Sequence, residues 1–373
     1  MHEVDDWIIR PTSVGEGGHG LAPVGKMLEH DTQWLFMTRH PVHGEVWVAE
    51  SNRGVLPVYV HNGAVRFLLG GVSLGHVSVR RHVVHGNLPE VTAAECARIL
   101  AALRGQINPK GVVFLIGVVK GEPLWEALSS KSVASRFYCL QSGSTDRRRL
   151  IRLGQGYDAY LASLPKRKRK DLRRSERRFD EAFGDRWCLA TYETPEELRR
   201  FIELVEPVSE RTYQHRLLGL GIKRGGWIER QVMAGAQLGY SRCYALFVGD
   251  ELVSWRVGFC FNGVYYSHHV GYDPEWSECR PGIVMHLKVI RDICERTKDL
   301  QEIDLLHGDN PAKAKLSNAW RDEAKFYLFP KTARGCCLFV ALGVFNYISD
   351  CISRMAEKLR IKEGLRRRLR RAA

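Results

Sequence analysis

The sequence predicts an α/β protein whose two halves each carry a mixed sheet, and three observations lead to that expectation. Short β-branched and aromatic runs bounded by turn residues recur in both halves, at 33–70 and again at 243–270. Each series runs into an amphipathic helical pattern and then into another apolar strand. The length of 373 residues suits two domains at roughly 150 residues each. A hydrophobic share of 45% against a charged share of 26% excludes disorder and fibrous classes.

The first residues, "MHEVDDWIIRP", have no basic start and no apolar core, so no signal peptide is expected. Residues 1–30 read as a flexible segment containing "GEGGHG", Gly15 to Gly20. A glycine cluster cradles phosphate only between a strand and a helix, and no strand precedes this one. Strands are expected at 33–39, 45–51, 54–60 and 64–70. "TAAECARILAALRG" reads as a helix with Thr92 as N-cap, Glu95 completing a capping box, and Gly105 as the stop. "GVVFLIGVV" (111–119) is unbroken apolar sequence, the pattern of a strand buried on both faces. A short helix at "PLWEALSS" and a strand at 136–140 close this half.

The basic stretch "LPKRKRKDLRRSERRF" (164–179) follows. Pro165 suits a helix start, and Leu172, Phe179 and Phe183 share one face. Residues 166–178 carry nine Lys and Arg against Asp171 and Glu176, a net of +7, and residues 351–373 carry another +7. These two segments account for the whole net charge of +14, so the remainder is neutral. Stacking aromatics are absent from 165–178, which speaks against a single-stranded nucleic-acid platform. The ten cysteines are scattered without a C-x-x-C pair, the usage of a reducing cytoplasm.

Amphipathic helices are expected at 195–210 and 226–239. Gly249-Asp250 and Asn262-Gly263 then turn two hairpins, giving antiparallel strands at 243–248, 251–261 and 264–270. The loop "DPEWSECR" leads to a helix begun by Pro281 and Gly282. A strand at 302–306, a helix through Trp320 and a strand at 325–330 complete the order, which resembles that of the first half without a residue-level repeat.

Several motifs carry a family resemblance. "YLASLPKRKRKDLRRSERRF", "GYDPEW…RPGIVMHLKVIRDICER" and "IDLLHGDNPAK" are similar in type and order to segments of GNAT acyltransferases. They are closest to the branch that includes cellulose-biosynthesis-associated acetyltransferases and the Fem-type aminoacyl transferases. The resemblance covers about 150–330, while 30–140 match in element order alone. It implies two GNAT-like domains in tandem: 31–150, a basic linker helix at 151–185, and an acyltransferase domain at 186–332. A C-terminal amphipathic basic tail occupies 333–373. The implied activity is acyl transfer from acetyl-CoA or another acyl-CoA to an acceptor amine of a small molecule, sugar or polysaccharide. The alternatives are an aminoacyl-tRNA donor, or a non-enzymatic nucleic-acid or membrane module. Ala312 departs from the family, which often has Tyr before the Lys at this point.

The residues themselves suit such chemistry. A helix N-terminus favours anions. Arg280, Pro281, Gly282 and Ile283, with Lys313, are therefore the expected donor-binding set. Attack on a thioester needs positioning, proton removal and oxyanion donors. Asp304 and Asp309 are candidates for acid/base or orienting roles, and Asp304 has the alternative of pairing structurally with Lys313 or Arg256. Tyr266, His268 and His307 are further candidates at strand ends. H-E-x-x-H and Cys/His clusters are absent, and His40/His43 and His82/His85 do not converge, so no metal is expected. G-x-S-x-G is absent too, which leaves an acyl-enzyme route without support.

The tail places Leu338, Leu342, Phe345, Ile348, Ile352, Met355 and Leu359 at helical spacing before a basic end. Such a helix docks on the protein body or lies on an anionic membrane surface, which would make the protein peripheral at the inner face of the membrane. Its longest apolar run, 336–348, falls short of the roughly 20 residues needed to span a bilayer.

Overall fold

The structure, a computed structural model, describes residues 7–12, 23–25, 27–38, 44–69, 72–212, 221–297 and 299–358. The glycine cluster 15–20, His40, His43 and the tail from Leu359 onward lie outside the described residues. The chain opens with β1 (Ile8–Thr12), α1 (Thr32–Thr38), β2 (Gly44–Ser51), β3 (Gly54–Leu69) and β4 (Val72–His85). Then come α2 (Ala93–Gln106), β5 (Gly111–Val119), α3 (Pro123–Ala127), α4 (Lys131–Ala134) and β6 (Phe137–Arg152). They are followed by α5 (Tyr157–Ser163), α6 (Lys166–Phe183), β7 (Trp187–Tyr192), α7 (Pro195–Arg211) and α8 (Trp227–Gln237). After these lie β8 (Cys243–Val248), β9 (Glu251–Phe261), β10 (Val264–Tyr272) and α9 (Pro281–Arg296). The last elements are β11 (Glu302–Asp304), α10 (Pro311–Leu316), β12 (Ala319–Pro330) and α11 (Ala333–Lys358).

Two compact units emerge, Met1–Thr145 with Asp322–Ala373, and Asp146–Arg321. The basic helix α6 thus lies inside the second unit, and the strand expected at 325–330 groups with the first.

In the first unit β1, β2, β3 and β4 pair antiparallel in sequence order, β4 pairs β5 in parallel, and β5 pairs β12 antiparallel. Alternation along β5 serves two cores. Val113 and Leu115 join the core that includes Ile99, Leu100 and Leu103 of α2, while Val112 and Phe114 join Leu338 and Leu342 of α11. Three expectations are corrected here. Residues 1–30 are not flexible throughout, and a strand does precede the glycine cluster, because β1 (Ile8–Thr12) pairs with β2. Residues 33–39 are not a strand: α1 forms instead, because the Asp31 carboxylate accepts the Trp34 N–H at 2.6 Å. Strands 54–60 and 64–70 are one, because Asn62 and Gly63 stay in register with Arg80 and Val79 of β4 and make no turn.

The capping box of α2 forms as its sequence requires. Thr92 accepts from Glu95 N–H, and the Glu95 carboxylate accepts from Thr92 N–H at 2.8 Å. The helix passes through Gly105 to Gln106. Thr92→Ala is expected to lower stability by about 1 kcal/mol, seen as a lower urea midpoint at unchanged slope.

In the second unit β7, β8, β9 and β10 pair antiparallel, β10 pairs β11 in parallel, and β11 pairs residues 150–152 of β6 antiparallel. Helices α5, α6 and α9 share one core with Tyr244, Leu246 and Tyr265 of the sheet. Leu172 and Phe179 are the buried stripe of α6, as their spacing predicts. Ion pairs fasten the same helix: Arg291 reaches Glu176 at 3.2 Å, and Lys288 reaches Asp180 at 2.8 Å. On the opposite face, Gly235 of α8 lies so close that a Cβ would stand 2.9 Å from the Phe259 ring. Two element ends differ from expectation. Strand 302–306 stops at Asp304, with Leu306 left-handed at φ 60°. The helix expected through Trp320 stops at Leu316, and Trp320 belongs to β12.

Candidate active site

Among the described residues each unit contains a parallel strand pair joined by a helix, and the two pairs differ. In the first unit β4 and β5 stay paired over Arg80–His85 and Gly111–Ile116, and Gly86 N–H donates to Ile116 O at 2.7 Å beyond them. A Cβ on Gly86 would stand 2.3 Å from the Gly117 carbonyl oxygen, so this pair is closed. In the second unit β10 and β11 pair only over Val264–Tyr266 and Glu302–Asp304. Beyond Tyr266, β10 continues to Tyr272 with β9 as its one strand partner among the described residues. A bulge between Ser267 and His269 marks the point of parting. The result is a fork whose inner edge, among the described residues, is not paired with another strand, the setting in which an extended ligand can add itself to a strand.

A cavity of 580 Å³ lies at the C-terminal end of β10, against the start of α9. Val270, Gly271 and Tyr272 form one wall, and Arg280, Pro281, Gly282, Ile283 and His286 the other. Arg280 takes a left-handed conformation (φ 52°, ψ 48°) that turns the chain into the helix. Pro281 then occupies the position where an N–H would be unused. The first turn of α9 has no side-chain cap; Ile283 and Val284 N–H donate to Arg280 O at 3.0 and 3.2 Å, and the positive end of the helix dipole lies against the cavity. A Cβ on Gly282 would meet only Tyr272 Cδ1 at 3.7 Å, so the wall is open there. Ala312 also lines this cavity, where the resembled family often has Tyr.

A second cavity of 370 Å³ shares Arg280 and runs along α6, with Arg174 and Arg178 in its wall beside Asp171 and Glu278. The Arg280 guanidinium donates to Asp171 at 3.3 Å.

The other predicted residues form separate groups. Asp304 is 1% exposed, and both its oxygens accept from Arg148 Nε at 2.8 Å. Arg321 and the Leu306 N–H add bonds at 3.3 Å and 2.8 Å. Its partners are therefore Arg148 and Arg321, not Lys313 or Arg256. His307 Nε2 lies 3.3 Å from Arg148 Nη1. Lys313 Nζ donates to the carbonyls of Leu306 and His307, which ties the turn after β11 to α10, and burial lowers its pKa. Asp309 is gripped at both oxygens by Arg149 (2.9 and 2.8 Å), and that hydrogen bonding holds its carboxyl below the usual range. Tyr266 is the last β10 residue paired with β11, opposite Asp304. His268 sits in the bulge with its ring edge-on to Phe259 at 4.8 Å. Arg280 through Ile283 thus come together at the first cavity, and the polar candidates gather near the fork instead.

Two residues went unpredicted. Arg256 of β9 is fully buried, donates from Nη2 to His286 Nδ1, and has no carboxylate partner among the described residues. Its Nε and Nη1 have no hydrogen-bond partner there either, and burial pushes its pKa down to about 10. His286, on the cavity wall, is held neutral by burial and by the Arg256 and Lys313 charges. Accepting at Nδ1 leaves its proton on Nε2, so the ring is a donor. A lone arginine inside the apolar run "LVSWRVGFCF" was the available signal for the pair.

Residues 166–314 match the acetyltransferase (GNAT) domain family. That match spans 149 of the 373 residues. No curated protein sequence matches the chain. Among solved structures it is similar to FemX, with 11% identity and a TM-score of 0.55 over 79% of this chain and 90% of that one. It is also similar to the C-terminal domain of a protein described as a lysylphosphatidylglycerol synthetase from Agrobacterium fabrum (10% identity, TM-score 0.51, 87% of this chain and 93% of that one). A conserved protein of unknown function from Bacteroides thetaiotaomicron gives 15% identity and a TM-score of 0.50 over 80% of this chain and 88% of that one. At these identities the likeness is one of fold: a mixed α/β GNAT-like architecture.

Proposed function

We propose that the protein is an acyl-CoA-dependent N-acyltransferase whose donor lies in the fork between β10 and β11. The fork carries this reading, because an extended thioester arm can lie along β10 beyond its pairing with β11 and its phosphates meet the start of α9. Arg280, Pro281, Gly282 and Ile283 form the pyrophosphate site. Lys313 holds the turn after β11, and Arg174 and Arg178 offer charge to the donor's outer phosphate. The acceptor amine attacks the thioester carbonyl, the C–N bond forms, the C–S bond breaks, and the amine proton leaves to a base while the thiolate is released. His268 and Tyr266, at the point of parting, are the acid/base pair of this reading. Asp304, Asp309 and His307 act as positioning residues through Arg148 and Arg149. The motif resemblance suggests an amine on a small molecule, a sugar or an envelope polysaccharide as acceptor, and ten free thiols suit a reducing, cytoplasmic setting.

Thermal shift and calorimetry with acetyl-CoA and coenzyme A test the donor. Stabilisation of several degrees is expected, and a folded sample indifferent to every acyl-CoA would sink the reading. The second reading, an aminoacyl-tRNA donor, draws on Arg174 and Arg178 beside the second cavity. It requires tRNA affinity that falls steeply across a salt series.

A further inference from the structure

The outer face of α11 is apolar and bare. Val340, Val344, Tyr347, Ile348, Ile352 and Met355 are exposed, by 40–68%. At 3.6 residues per turn they fall within an arc of about 140°. The helix docks through other positions: Leu338 and Leu342 are buried, Phe339 stacks on Tyr138, and Phe345 meets Phe67 at 5.1 Å. That last contact brings in a second, sequence-distant group. Phe67 precedes Leu68, and the β3–β4 hairpin carries Leu68, Val72 and Leu74 exposed at its end. Hairpin and helix thus belong to one unit and meet where Phe67 packs on Phe345. The apolar stretch of the helix, Ala333–Ile352, is 20 residues long, longer than the 336–348 run read from the sequence. With one side packed on the protein it has only the other to offer. The sequence after it, 359–373, holds seven Lys and Arg against Glu363.

We infer that this composite face, the outer stripe of α11 with the β3–β4 hairpin end, docks the protein on an anionic lipid surface. The apolar stripe enters the headgroup boundary, and the basic sequence that follows it in the chain adds charge attraction to acidic lipid. A second copy of the chain is a poorer occupant, since pairing these faces would bring two such basic segments together. The inference is independent of the donor and acceptor proposed above.

The full chain is tested by co-sedimentation with phosphatidylcholine vesicles with and without phosphatidylglycerol. Binding is expected only with phosphatidylglycerol, and it should weaken as salt is added. The paired changes Val72→Ser with Leu74→Ser, and Tyr347→Ser with Ile348→Ser, are each expected to weaken binding roughly tenfold. Tyr347→Trp reports insertion directly, as a blue shift of emission on adding vesicles. No binding to phosphatidylglycerol vesicles would overturn the inference, as would binding untouched by both paired changes. A dimer in sedimentation velocity that Tyr347→Ser with Ile348→Ser dissociates would overturn it too, by naming a second copy as the occupant.

Discussion

Gly282→Asp is expected to leave the protein folded and to abolish most of its affinity for coenzyme A. The two effects have opposite signs for one physical reason. A carboxylate in the first turn of α9 interacts well with the helix dipole, worth roughly 0.3–1 kcal/mol, so the melting temperature should hold or rise. A side chain there meets no backbone, its nearest neighbour being Tyr272 Cδ1 at 3.7 Å. The same carboxylate occupies the place proposed for the donor's pyrophosphate. Like charges brought together at a binding site cost several kcal/mol, so affinity should fall roughly a hundredfold or more. Calorimetry with coenzyme A reads the loss, and a thermal melt reads the stability. Equal affinity in the two proteins would remove the first turn of α9 from the donor site.

Asp304→Ala should act in the other way, on stability first. Arg148 is 2% exposed and gives Nε to both Asp304 oxygens. Removing the carboxylate leaves a buried guanidinium without its counter-ion, a change that costs about 3–5 kcal/mol. Chemical denaturation of Asp304→Ala should show that loss. Asp304→Leu combined with Arg148→Met should recover much of it, because an apolar pair replaces a buried ion pair at little cost. If Asp304→Ala melted with the parent protein and lost activity alone, Asp304 would be a reacting group instead of an anchor.

The elements of the second half were legible in the sequence because their signals are local. Gly249-Asp250 and Asn262-Gly263 end strands where the chain turns with positive φ at Gly249, Asn262 and Gly263. Pro281 and Gly282 mark the start of α9, and Leu172 with Phe179 mark the buried side of α6. Local signals misled where pairing decides. Asn62-Gly63 has hairpin chemistry, yet β4 holds it inside a continuous strand. "QWLFMTR" has strand composition, yet Asp31 caps it as a helix.

The candidate site divides in the same manner. Arg280 through Ile283 are neighbours in sequence, so one motif placed them together at a helix start. Arg148 with Asp304, and Arg256 with His286, stand 156 and 30 residues apart and meet only after folding. A carboxylate in a strand cannot announce which cation will reach it, and Asp304 was read against the wrong cations for that reason. The fork itself has no sequence mark. It exists because β10 runs on for six residues after its pairing with β11 ends, whereas β4 and β5 stay bonded. By itself the sequence determined most of the order of strands and helices, the start of α9 and the apolar seam of α6, since turn chemistry, capping and periodicity act within a few residues. Only the tertiary structure decided which parallel pair opens, which ion pairs close and which face of α11 stays bare, because each depends on groups distant in sequence meeting in space.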